Sequence, residues 1–116
     1  MELSKIYEQL HGNYEAVLKR MHTEQRIEKY LLRFLDKHFD TLILEALETK
    51  DYEQAFCESH NLKGVCASLS LDQLGESASA LSEILRNGEP QEDISFLVKT
   101  MCADYKMTMD ALKILK

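Results

Sequence analysis

Three residues within the stretch Cys57 to Leu69 could do chemistry from a single helical turn: His60, Lys63 and Gly64. Wound as an α-helix at about 100° per residue, the segment sets Ala55, Ser59, Leu62, Cys66 and Leu69 on one side. His60, Lys63, Gly64 and Ala67 fall on another. The first set is a core stripe. The second joins a titratable imidazole, a cation and a missing side chain, a combination that packing does not require. Taking His60 as the zero of the wheel, the core stripe centres roughly 140° away, so the imidazole is expected in solvent.

Lys63 follows His60 by one turn, and helical side chains lean toward the N-terminus, so its ammonium can swing back over the ring. A cation beside a neutral imidazole disfavours protonation and repels a metal, yet it suits an anion attached to that ring. A phosphoryl group is the anion this arrangement favours. Glycine inside a helix costs about 1 kcal/mol relative to alanine, and Gly64 faces away from the core. A second macromolecule approaching closely, with its own reactive group aimed at His60, would use that space. Phe56, one turn earlier, supplies an exposed apolar contact, and Phe56, Ala67 and part of the 24 to 37 helix form the expected docking surface.

The rest of the chain supplies the frame. Leu3, Ile6, Tyr7 and Leu10 predict a short helix over Met1 to Leu10, broken by the His-Gly-Asn at 11 to 13. Asn13 then caps a brief helix to Met21, and Thr23 caps a longer one from Glu24 to about Lys37. Asp40 or Thr41 starts a further helix that ends near Thr49-Lys50-Asp51. The His60 helix spans 51 to 68. Ser70 is expected to cap the following helix, with Gln73 closing a capping box. That helix stops at Asn87-Gly88, and Pro90 with Glu92 and Asp93 marks the start of the last one. Four long amphipathic segments with short connections predict an all-α, antiparallel four-helix bundle with short additional N-terminal helices.

Composition agrees. A chain of 116 residues fits one domain, 1 to 116, with a single core. Only four Gly and one Pro leave little turn material for an all-β fold. The formal net charge of −6, with no basic cluster, excludes a nucleic-acid partner and favours a protein. No run reaches the roughly 18 apolar residues of a membrane span, and the start lacks a signal peptide, so no membrane role and a cytoplasmic location are expected. Cys57, Cys66 and Cys102 form no CxxC pair and are read as reduced thiols.

The segment Ser59-His60-Asn61-Leu62-Lys63-Gly64-Val65-Cys66-Ala67-Ser68-Leu69-Ser70 resembles the H-x-L-K-G motif of histidine-containing phosphotransfer (HPt) domains. The apolar helix ending Phe34-Leu35, the Leu-rich segment before Asp51, Ala55, and the helix holding Leu74, Ala78 and Leu81 are similar to the family pattern as well. The resemblance implies a phosphorelay carrier in two-component signal transduction. His60 would accept a phosphoryl group from the aspartyl phosphate of one receiver domain and pass it to another. It further implies that Lys63 neutralises phosphoryl charge, that Gly64 clears the approach, and that Mg is held by the partner receiver, leaving no cofactor here. Response-regulator receivers, including that of a hybrid sensor kinase, are the implied partners of a monomeric carrier. Two positions depart from the pattern: Ser70 stands where many members have Gly, and Asn61 replaces a commoner small or hydroxylated residue.

Phosphoryl transfer is chiefly positioning and electrostatics, so a carrier needs no ATP site, and the chain has no P-loop or kinase glycine loop. A carrier rather than an enzyme is expected. His11, His22 and His38 have no ligand spacing with His60, so no metal site is expected. The alternative is a helical-bundle interaction module that binds a partner through Phe56 and Gly64 without phosphorylation. Met1 and the compact ends favour a free-standing protein over an excised domain.

Overall fold

The computed structural model describes residues 2 to 116, so the expected helix start at Met1 lies outside the described residues. Seven α-helices follow one another: α1 (Leu3–Gln9), α2 (Tyr14–Met21), α3 (Glu24–Leu35), α4 (Phe39–Glu48), α5 (Tyr52–Leu69), α6 (Asp72–Leu85) and α7 (Ser95–Leu112), and a 3-10 turn (Lys113–Leu115) ends the chain. Among the described residues there is no strand. The ring of the bundle is α4, α5, α6 and α7, with α5 and α6 the most intimate pair. Short links make neighbours in this ring antiparallel. Helices α1 to α3 cover its side and end, giving a body of 42 × 23 × 20 Å.

Side-chain caps start three of the seven α-helices. Asn13, Thr23 and Asp51 each accept a backbone N–H three residues on, from Ala16, Arg26 and Gln54. Elsewhere the boundaries move. The 24 to 37 helix ends at Leu35, and α4 begins at Phe39, ahead of the expected Asp40 or Thr41. Tyr105 explains this break: its Oη donates to the Lys37 carbonyl and accepts the Phe39 N–H, both at 3.2 Å. A residue far along the chain thus takes backbone groups that local patterning would have given to the helix. Pro90 sits in the connection rather than at a helix start, and α7 begins at Ser95, whose N–H and hydroxyl both donate to Asp93.

The turn between α5 and α6 contradicts the expected capping box. Ser70 is the residue past the end of α5, in the left-handed region at φ 55° and ψ 38°, and α6 has no side-chain cap. The Leu71 N–H reaches back to the Cys66 carbonyl at 2.9 Å, the long reverse bond that closes a helix through a left-handed residue. Gln73 instead donates to Asp104 on α7 at 2.8 Å. A left-handed serine is strained where glycine is not, and the N-terminal segment compensates. The Arg20 guanidinium donates to the Ser68 carbonyl at 2.6 Å and to Ser70 Oγ at 3.2 Å. The Tyr7 hydroxyl donates to the Leu69 carbonyl at 2.7 Å, and the Asn13 N–H donates to the Ser70 carbonyl at 2.9 Å. These bonds satisfy carbonyls that the end of a helix leaves free.

The same contact leaves no room at Gly12, where an added Cβ would lie 2.7 Å from the Ser70 carbonyl oxygen and 2.9 Å from the Tyr7 ring. Because one obstacle is backbone, Gly12→Ala should destabilise the fold by about 1–3 kcal/mol, as overpacking does. Chemical denaturation followed by circular dichroism measures it, and an unchanged midpoint would show that the clamp yields freely.

Candidate functional site

Helix α5 presents His60 by burying its opposite side. Ala55, Ser59, Leu62, Cys66 and Leu69 are buried, while His60, Asn61, Gly64 and Ala67 are exposed. Ser59, the buried neighbour of His60, is satisfied within the helix, its hydroxyl donating to the Ala55 carbonyl at 2.9 Å and to that of Phe56 at 3.1 Å. Burial pushes the Cys66 thiol up to about 12, so this side of the helix carries no reactive sulfur.

The imidazole is not bare. It stacks on the Phe56 ring with centroids 5.5 Å apart and planes 24° from parallel. The Arg86 guanidinium lies over the same Phe56 ring at 5.5 Å. Arg86 is in turn paired with Glu83 at 3.1 Å, and that hydrogen bond holds the Glu83 carboxyl below its usual range. Phe56 is therefore half-buried between two polar groups rather than the free apolar contact expected from its spacing.

Lys63 is half-buried on the α6 side of the helix. With Ala67 it lines a shallow hollow against Gly75, Glu76 and Ser79, and its charge helps to keep Glu83 ionised. The aromatic neighbour of the His60 ring is Phe56. Gly64 lies on the opposite flank, in the wall of a groove of about 980 Å³ that also contains His60. A Cβ added at Gly64 would meet nothing within 4 Å. Phe56 and Ala67 do not line this groove, whereas Tyr30, Arg33, Lys37 and His38 do. The expected docking residues thus divide between the two flanks of one exposed ridge. Part of the 24 to 37 segment does reach the site, from α3 and the link after it.

Sequence spacing missed Arg86, Glu83 and the part of the wall beyond residue 37, at His38, Phe39 and Leu42. A hairpin pivoting on Ser70 and Leu71 sets Phe56 opposite about residue 85, so Arg86 was within reach of that geometry. No comparable signal places His38 and Phe39 beside the groove, since their position depends on Tyr105. Among the described residues, no three His, Cys, Asp or Glu side chains gather where a metal could bind. Cys57, Cys66 and Cys102 are unpaired, and among the described residues no helix is long and apolar enough to cross a membrane.

A family model described as Hpt domain matches residues 26–113. The match includes the whole of α4 to α7 and leaves out α1 and α2. Neither the curated proteins nor the solved structures yielded a match.

The open space at Gly64 separates it from the chain's packing glycines. Gly64→Ala should stabilise the fold by about 1 kcal/mol through helix propensity, raising the melting temperature by about 4 °C. At Gly75 the added Cβ would lie 3.2 Å from Cys66 Cβ, so Gly75→Ala should gain less or lose stability. Paired thermal melts compare the two, and a fall at Gly64 would make it a structural position.

Proposed function

The chain belongs to the Hpt domain family, carriers of phosphoryl groups on histidine within phosphorelays, and from that premise we propose that His60 is the residue phosphorylated. One observation carries the assignment. His60 is exposed at mid-helix, and the next turn offers a glycine above which nothing stands within 4 Å. An aspartyl phosphate carried on a rigid partner can approach such a ridge in line with an imidazole nitrogen.

In the forward step, that nitrogen attacks phosphorus, a nitrogen–phosphorus bond forms and the acyl oxygen–phosphorus bond breaks. The receiver's carboxylate leaves with the bonding electrons, and the imidazolium proton departs to solvent. The reverse step delivers the group to a second receiver. Catalytic Mg and acidic residues belong to the receiver in this reading, and the chain described here supplies nucleophile, position and charge. Stacking on Phe56 restricts the imidazole before the partner arrives, which lowers the ordering needed at the transition state. Arg86, acting through Phe56, is a positioning residue. Lys63, one turn from His60, offsets part of the phosphoryl charge from the α6 flank.

Mixing the protein with receivers phosphorylated on aspartate tests the assignment. Wild type should take up acid-labile, base-stable label, and His60→Gln should take up none. Label on the variant, or none on wild type from any receiver, would overturn the carrier reading in favour of a binding module. Lys63→Ala should slow transfer or shorten the phosphohistidine lifetime by about tenfold, the effect of losing one partly screened charge. Unchanged kinetics would remove Lys63 from the reaction. Gly64→Glu should fold and melt near wild type but transfer poorly, because it fills the approach with bulk and negative charge.

A further inference from the structure

The groove beside His60 has one wall that phosphoryl chemistry does not use. We infer that the Arg33, Lys37 and His38 wall selects receivers by taking an amphipathic helix whose edge carries carboxylates. This rests on the carrier reading and adds to it the charge of the partner's docking element.

Four observations support it. The groove is large, about 980 Å³, and runs directly from His60 and Gly64, so a body that delivers phosphate to His60 already lies over it. Its apolar surface comes from the half-buried Met21, Tyr30 and Val65, over the buried Phe34 and Leu69, with Leu42 left 44% exposed at the edge. Such a lining suits an apolar helix stripe. Among the described residues, no carboxylate lies within ion-pairing distance of Arg33 or Lys37. In a chain of net charge −6, two unpaired cations on one wall, against a single carboxylate at Glu58, make that wall complementary to acid.

The wall is also built to hold its shape. The Tyr105 hydroxyl, held between the Lys37 carbonyl and the Phe39 N–H, fixes the non-helical link that carries Lys37 and His38. The Tyr105 and Phe34 rings pack 5.8 Å apart beneath it. Arg33 lies over the Tyr30 ring at 5.2 Å, which leaves its guanidinium edge free to meet a carboxylate.

The test measures transfer rate against receiver concentration, using the receiver domain that donates fastest to wild type after phosphorylation with phosphoramidate. Charge reversal at both positions, Arg33→Glu with Lys37→Glu, should raise the half-saturating concentration about tenfold or more while the limiting rate changes little. Arg33→Lys with Lys37→Arg should restore it, and added salt should weaken binding to wild type more than to the reversed variant. Replacing carboxylates on the receiver's docking helix with lysine should rescue the reversed variant. The remote pair Lys5→Glu with Lys99→Glu controls for net charge. An unchanged half-saturation, a loss confined to the limiting rate, or an equal effect from the remote pair overturns the inference while His60 transfer stands. Self-association abolished by the reversal, with transfer unaffected, would assign the groove to a second copy and overturn it too. No transfer to wild type from any receiver overturns both readings.

Discussion

The turn at Ser70 and Leu71 is the constraint from which the site's geometry follows. It folds α6 back on α5, and the left-handed serine sets the angle at which the two helices part. Every residue that the far side of the hairpin brings to His60 depends on that angle, Arg86 and Glu83 included. The pair packs closely enough that Gly75 can carry no side chain without pressing on Cys66. Tyr7, Asn13 and Arg20 hold the turn from outside, through bonds to the carbonyls of residues 68 to 70 and to Ser70 Oγ. Helices α1 and α2 lie outside the span matched by the family model, yet they secure the end of the helix that presents His60. Where a glycine would adopt the turn unaided, this chain uses a clamp.

A second constraint acts at the break between α3 and α4. Tyr105 on α7 binds the backbone on either side of His38. Burial raises this phenol to about 12, so it keeps its proton and its donor role throughout the physiological range. The consequence is a groove rather than a continuous helical wall beside His60. The exposed ridge of α5 therefore has two unlike flanks: a shallow one toward α6, with Lys63, and a deep one toward α3 and α4, with Gly64 in its wall. In the carrier reading proposed above, charge compensation for the transferred group would come from the first flank, where Lys63 stands, and room for a partner from the second, where nothing stands above Gly64 within 4 Å.

Legibility in the sequence followed the range of the interactions. The helical periodicity of Ala55, Ser59, Leu62, Cys66 and Leu69 identified the buried side of α5, because a helix of fixed pitch allows one choice of core face. Asn13 and Thr23 were readable as caps because a cap is a contact three residues long. Ser70 was misread by the same local logic. Its hydroxyl has the chemistry of a cap, but its backbone is committed to ending α5, and its Oγ is taken by an arginine fifty residues earlier. Pro90 was misplaced because Asp93, nearer to α7, supplied the bonds that start it.

What the sequence determined by itself was the helical class, the exposed imidazole and the glycine one turn beyond it, all consequences of pitch and side-chain type along one segment. What only the tertiary structure decided was the company His60 keeps. Phe56 became a stacking partner under Arg86 because the hairpin closes there, and the cationic wall faces α5 because Tyr105 interrupts a helix from across the core. Contacts between distant residues depend on turn angles and on competition for backbone groups, and no periodicity along the chain records either.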